Sequence, residues 1–290
     1  MSEKTETDVR SNGRGADRLA LVGATPLYAC QVDQRFSFCL FVPLSLDRRD
    51  GQRYPLVVTV HGTGRRALAY RDAFTDFAET HGCVILAPLF PGGIVAPWEM
   101  GSYKLLKDGD LRYDHVLLAM IDQVATVLPI ETSRFLLHGF SGGGQFAHRF
   151  FYVHPDRLLG VSIGAPGSVT LLDGGRDWWV GMRNFASVFE SQPNDAAMQR
   201  VAVQMVIGGA DNEPIEITPN ERRWMPGANE AGRTRLERLG SLSSSFARNG
   251  IPVQYDIVPG VGHDGFKLLG PVQAFFAGLL RERSGRTHRQ

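Results

Sequence analysis

Short apolar runs alternate along this chain with longer stretches in which apolar residues recur every three or four positions. The runs predict strands and the periodic stretches predict helices. Residues 26–30 and 36–43 read as the two arms of a hairpin. Leu56-Val57-Val58-Thr59-Val60 is a near-continuous apolar run ending at His61-Gly62, the pattern of a strand buried on both faces. Residues 67–80 carry Ala73, Phe74 and Phe77 at helical spacing, and residues 83–87 form another buried run. Residues 113–128 predict a helix with Val116, Leu117, Met120, Ile121, Val124 and Val127 on one broad face. Further strands are predicted at 135–137, 159–163, 201–207 and 253–258.

Strands alternating with helices define the class as α/β: a mostly parallel twisted sheet covered by helices on both faces. One domain is expected over residues 21–283, with a short cap or lid at about 171–199. Residues 1–20 and 284–290 are expected to be disordered tails, because both are polar and lack apolar periodicity. In such sheets ligands bind beyond the carboxyl ends of the strands. Four segments therefore converge: those after Val60, Leu137, Ile207 and Val258.

Composition narrows the function. The 290 residues carry a formal net charge of +1, so no strong field points to nucleic acid or to an anionic membrane surface. No apolar stretch approaches the roughly 20 residues that span a bilayer. The first residues lack the apolar core of a secretory signal. Three cysteines, Cys30, Cys39 and Cys83, give no disulfide framework and no metal-site spacing. A Cys30–Cys39 bridge across the hairpin stays open beside the simpler reading, three buried thiols in a reducing compartment. A cytoplasmic location is expected.

Gly139-Phe140-Ser141-Gly142-Gly143 lies between the run Phe135-Leu136-Leu137 and the helix-like stretch from Gln145 to Phe150. Strand, G-x-S-x-G, helix is the setting of a nucleophile elbow, where a tight turn holds a serine oxygen out toward base and substrate. A side chain at Gly139 or Gly143 would collide with the neighbouring strand or helix. After Ile207 comes Gly208-Gly209-Ala210-Asp211, and after Val258 comes Pro259-Gly260-Val261-Gly262-His263. A serine hydroxyl needs a base close to neutral, and the imidazole needs a carboxylate to fix its tautomer. Alone, each residue would be an ordinary turn former or solvated side chain. Three in the order Ser141, Asp211, His263, each at a strand end, make a catalytic triad.

The oxyanion hole needs two aimed backbone N–H groups. Gly142, following the nucleophile, is expected to supply one. His61-Gly62-Thr63-Gly64 is expected to supply the other, from Thr63 first and Gly64 second. His61 precedes the serine and suits that loop better than the base role. His138, His148 and His154 are expected to be packing or surface residues. Glu213 is the nearest rival to Asp211, while Asp256, inside a strand, and Asp264, beside the base, fit less well.

These segments resemble the signatures of α/β-hydrolase serine esterases over roughly residues 21–283. Within that superfamily the chain resembles the polyhydroxybutyrate depolymerase and feruloyl-esterase-like group, which has a similar Ser-Gly-Gly helix start. Secreted members of the group carry a signal peptide and extra cysteines, and neither is expected here. The resemblance implies hydrolysis of a carboxylic ester through an acyl-serine intermediate. Acyl transfer or amide cleavage by the same triad is an alternative, and a non-catalytic ligand-binding member of the fold is another. No metal and no organic cofactor is expected, because no ligand cluster or phosphate loop accompanies the triad. The substrate is expected to be a small apolar or aromatic ester, because Trp98, Trp178 and Trp179 sit in insertions after strand ends. These three, with Tyr103, are candidates to wall the pocket; the alternative for the segment bearing Trp178, Trp179, Met182, Phe185 and Phe189 is a surface helix packed on the core.

Overall fold

The computed structural model describes residues 21–45 and 53–287. The expected N-terminal tail lies outside the described residues, and so do residues 288–290. In chain order the strands are β1 Gly23–Ala24, β2 Tyr28–Ala29, β3 Ser37–Val42, β4 Leu56–Val60, β5 Val84–Leu89, β6 Lys107–Asp108, β7 Leu111–Arg112, β8 Phe135–Phe140, β9 Leu158–Gly164, β10 Ala202–Gly208 and β11 Val253–Val258. The helices are α1 Ala67–Asp72, α2 Thr75–His81, α3 Tyr113–Ala125, α4 Gly142–Val153, α5 Phe185–Phe189, α6 Asp195–Met198, α7 Arg235–Arg248 and α8 Leu269–Thr287.

Nine strands form one sheet in the order β1-β3-β5-β4-β8-β9-β10-β11, with β2 also on β3. From β5 to β11 every neighbouring pair is parallel. The predicted hairpin exists as β2 and β3, in register Tyr28↔Phe38, and β3 joins β5 antiparallel. All residues of β4 and β8 are buried, as strands covered on both faces must be. Gln273 of α8 bonds Ala73 beside α1, while Phe151 of α4 packs on Phe246 of α7. The chain steps from β4 to β5 on one side and returns to β8 on the other. That reversal is a topological switch point, and it opens a crevice at the carboxyl ends of β4 and β8.

Several expectations change in detail. The helix predicted at 67–80 is two helices, broken at Ala73 and Phe74, where the turn delivers the fully buried Phe74 to the core. The helix at 113–128 stops at Ala125, so Val127 falls outside it and is 40% exposed. The last helix continues to Thr287, into the segment expected as a tail. Helix α7 has no counterpart among the predicted elements, although Leu239, Leu242 and Phe246 bury one face at helical spacing. Thr234 caps it by accepting from the Glu237 N–H. Cys30, Cys39 and Cys83 are all buried, and no disulfide joins them. No helix among the described residues is long and apolar enough to cross a membrane.

Candidate active site

The end of β8 is built for close approach. A Cβ on Gly139 would overlap the Gly143 carbonyl, and one on Gly143 would overlap the Val60 carbonyl. The two glycines therefore let α4 start directly against β4. Between them Ser141 takes φ 57°, ψ −111°, a region that L-residues seldom occupy. The Ser141 N–H donates to Gly164 O at 2.8 Å, which anchors the turn to β9.

The turns after β10 and β11 are stitched together. Gly209 N donates to Val258 O and Ala210 N to Val261 O. This pairing sets Asp211 beside His263. His263 Nδ1 lies 2.6 Å from Asp211 Oδ2, and Nε2 lies 3.0 Å from Ser141 Oγ. A carboxylate only accepts, so Nδ1 carries the proton and Nε2 is left to accept from the serine hydroxyl. Asp211 is 1% exposed, and its other oxygen accepts from Arg235 Nη1 at 2.9 Å. Burial pushes its carboxyl up; the bond and charge of His263, then Arg235, outweigh this and hold it below the ordinary range. Glu213 is exposed, Asp256 is held by Gln204 and Gln254, and Asp264 accepts from Phe266 N.

Across the crevice, Thr63 N lies 3.3 Å from where a Gly142 Cβ would stand. Gly142 opens α4, so its N–H is one of those without an acceptor inside the helix. Arg65 staples the loop: its Nη1 donates to Thr63 O (2.7 Å), Nε to Phe90 O (3.2 Å) and Nη2 to Met100 O (3.0 Å). Buried His61 bonds Gly62 O through Nδ1 (2.8 Å) and accepts from Phe90 N through Nε2 (3.0 Å). Burial pushes its pKa down to about 4, so it is a neutral brace for this loop. His138 and His148 are likewise buried, bonded to Ser162 Oγ and Thr170 N, and His154 bonds Asp114.

A cavity of about 470 Å³ opens over Ser141 and His263, walled by Thr63, Arg66, Tyr70, Phe140 and Phe266. The Tyr70 and Phe266 rings stack at 4.7 Å, with the Arg66 guanidinium 4.6 Å over Phe266. The three tryptophans are elsewhere. Trp98 is 94% exposed, and Trp178 and Trp179 line a second cavity of about 610 Å³. The cap segment folds down onto its own apolar residues: Trp178 packs on Phe185 and Phe189, and Trp179 joins Val180, Ile217 and Ala228. Tyr103 sits behind the loop, buried, its hydroxyl donating to His61 O at 3.1 Å. Arg235 reaches Asp211, Arg65 ties its loop to Phe90 and Met100, and Tyr103 reaches His61, contacts distant in sequence that no local pattern announces.

Asp114, His115 and His154 form a separate group of metal-ligand type. Asp114 already takes a two-bond pair from Arg112 (2.9 and 2.6 Å) and a bond from His154 at 2.7 Å, and the guanidinium opposes a second cation there.

This architecture is the α/β-hydrolase fold. Poly(aspartic acid) hydrolase-1 of Sphingomonas sp. KT-1 superposes with TM-score 0.69 at 19% identity, over 87% of this chain and 97% of its own. A poly(3-hydroxybutyrate) depolymerase of Bordetella parapertussis gives 0.66 at 24% identity, over 87% and 89%. A ferulic acid esterase gives 0.58 at 15% identity, over 89% and 97%. No family model and no curated protein sequence matches the chain.

Proposed function

We propose that the protein is a serine hydrolase that cleaves a carboxylic ester through an acyl-serine intermediate. The observation that carries this is the unbroken chain Ser141 Oγ–His263–Asp211, with bonds of 3.0 and 2.6 Å at a turn that projects the serine. His263 Nε2 takes the hydroxyl proton as Oγ attacks the ester carbonyl. The carbonyl oxygen becomes an oxyanion held by the Gly142 and Thr63 N–H groups. The C–O bond then breaks, and His263 returns the proton to the departing alcohol. Water attacks the acyl-serine with the same base, releasing the acid and restoring Ser141. Asp211 keeps the proton on Nδ1 and stabilises the imidazolium, with Arg235 fixing the carboxylate's other oxygen.

The aromatic lining from Tyr70, Phe140 and Phe266 supports a small ester with an apolar or aromatic group. The names of the depolymerase and the ferulic acid esterase support the ester class. The same triad serves amide cleavage and acyl transfer, which differ in leaving group and acceptor. Three cysteines outside any disulfide support a reducing compartment, the cytoplasm. The test is a series of 4-nitrophenyl esters of increasing acyl length, with Ser141→Ala beside the wild type. Turnover that vanishes in the variant is expected; no turnover of any ester, or equal turnover by both, would overturn the reading.

A further inference from the structure

The second cavity adjoins the elbow through one side chain. Lys104 lines it, and Lys104 Cε lies 3.0 Å from where a Gly142 Cβ would stand. Lys104 is 8% exposed, yet no hydrogen bond or ion pair to its ammonium is found among the described residues. The other charged groups of the wall are engaged. Glu99 accepts from Gly101 N and Ser102 N, Glu221 takes Arg223 Nε at 3.0 Å, and Asp108 takes Arg222. Lys107 donates to Val188 O at 2.8 Å.

A second cation, Arg149, is buried against the backbone of Lys104. Arg149 is fully buried and bonds Thr170 Oγ1, Ser168 Oγ, Gln145 O and, at 2.8 Å, the Lys104 carbonyl, all of them uncharged. Two cations thus sit beside the elbow with no carboxylate bonded to either. Lys104 carries its charge with no carboxylate bonded to it, and a ligand carboxylate in the cavity would compensate that charge. Burial first, then Arg223 and Arg65, against Glu99 and Glu221, pushes the Lys104 pKa down to about 8, which leaves the ammonium mostly charged at neutral pH.

The position also assigns the side of the ester. The leaving alcohol must reach His263 Nε2 to take its proton, and His263 lines the first cavity. The acyl group therefore extends away from it. We propose that the second cavity is an acyl-side subsite in which Lys104 binds a carboxylate at the far end of the acyl chain, with Trp178 and Trp179 as its apolar wall. The substrate class is then the half-ester of a dicarboxylic acid, or an acyl chain that ends in a free carboxylate. This assignment rests on the ester-hydrolase reading.

The test compares 4-nitrophenyl hexanoate with mono-4-nitrophenyl adipate, acyl chains of equal length that differ by the terminal carboxylate. The readout is the ratio of kcat/KM, adipate over hexanoate. The wild type is expected to prefer the adipate ester. Lys104→Met is expected to lower the ratio roughly ten- to a hundredfold, the worth of a bond to a charged partner, and Lys104→Arg to restore most of it. A ratio indifferent to Lys104→Met, or a wild type that rejects the adipate ester, overturns the subsite. A second arm needs no turnover: free adipate titrated into Ser141→Ala, read by tryptophan fluorescence, should bind saturably and weaken at least tenfold in Ser141→Ala/Lys104→Met. Absent or Lys104-independent binding overturns the subsite even if esters are cleaved. Lys104-dependent binding without cleavage of either ester supports the subsite and removes the ester reading instead.

Discussion

Gly142→Ala separates a steric account of the oxyanion hole from a bland one. Gly142 does not have a left-handed φ and opens α4, so alanine there should on backbone grounds stabilise the helix, by less than the roughly 1 kcal/mol of a helix interior. The surroundings reverse that sign. The new methyl would stand 3.0 Å from Lys104 Cε and 3.3 Å from Thr63 N, and would overlap the Tyr103 hydroxyl. Tyr103 is 1% exposed and tied to His61 O, so it has nowhere to retreat. Overpacking of this kind costs roughly 1–3 kcal/mol. Relief must come from moving the Gly142 or the Thr63 peptide, and misplacing one oxyanion donor costs about 10²–10³ in kcat. The expected variant is folded, melts no higher than wild type, and loses kcat by that factor with a smaller change in KM. Tyr103→Phe removes the colliding oxygen, so Gly142→Ala/Tyr103→Phe should regain at least about tenfold of the loss relative to Tyr103→Phe alone. Steady-state kinetics on one 4-nitrophenyl ester and thermal melts of the four proteins decide it. A Gly142→Ala enzyme with wild-type kcat and a raised melting temperature would refute the reasoning.

Asp211→Asn should lower kcat by on the order of 10⁴ by stabilising the wrong imidazole tautomer, whereas Glu213→Gln, at an exposed position, should change it little; steady-state kinetics showing the reverse ranking would make Glu213 the acid. Activity should survive exhaustive dialysis against EDTA, and a loss restored by a divalent ion would contradict the cofactor-free mechanism. Burial holds His61 and His138 down to about 4 in the folded protein, against an ordinary 6.5. Between those values the unfolded chain binds protons that the fold refuses, so stability should fall as pH drops from 6.5 toward 4, by on the order of 3 kcal/mol per histidine. Urea midpoints at pH 7, 5.5 and 4.5 measure this, and a flat profile would mean that the two rings take up protons in place.

What was legible in the sequence was what local chemistry and topology dictate together. The elbow announces itself because Gly139, Ser141 and Gly143 lie within one turn and the flanking run and helix are both apolar. Asp211 and His263 lie beside Ser141 because a parallel sheet brings its strand ends to one edge, so order along the chain translates into proximity. Trp98 is exposed, and Trp178 and Trp179 line the second cavity in place of the one over Ser141, because packing sets the direction of a side chain in an insertion. Trp179 is drawn under by Ile217 and Ala228, and Trp178 by Phe185 and Phe189. The lining found instead, Tyr70 and Phe266, comes from α1 and the turn after His263, where nothing in the pattern distinguishes a pocket wall from core. Arg235 lies 24 residues from Asp211, and Arg149 lies 45 from Lys104, so these contacts have no local signature.

The account stands on Ser141 as the nucleophile, and a fluorophosphonate tests this most directly. Such a probe forms a bond from phosphorus to an activated serine oxygen and expels fluoride. After brief incubation at neutral pH, the wild type should gain the mass of one probe less HF, with the peptide spanning the elbow carrying it on Ser141. Ser141→Ala should gain none, and Asp211→Asn should label far more slowly. An adduct on a different residue, or equal labelling of Ser141→Ala, would contradict the central claim.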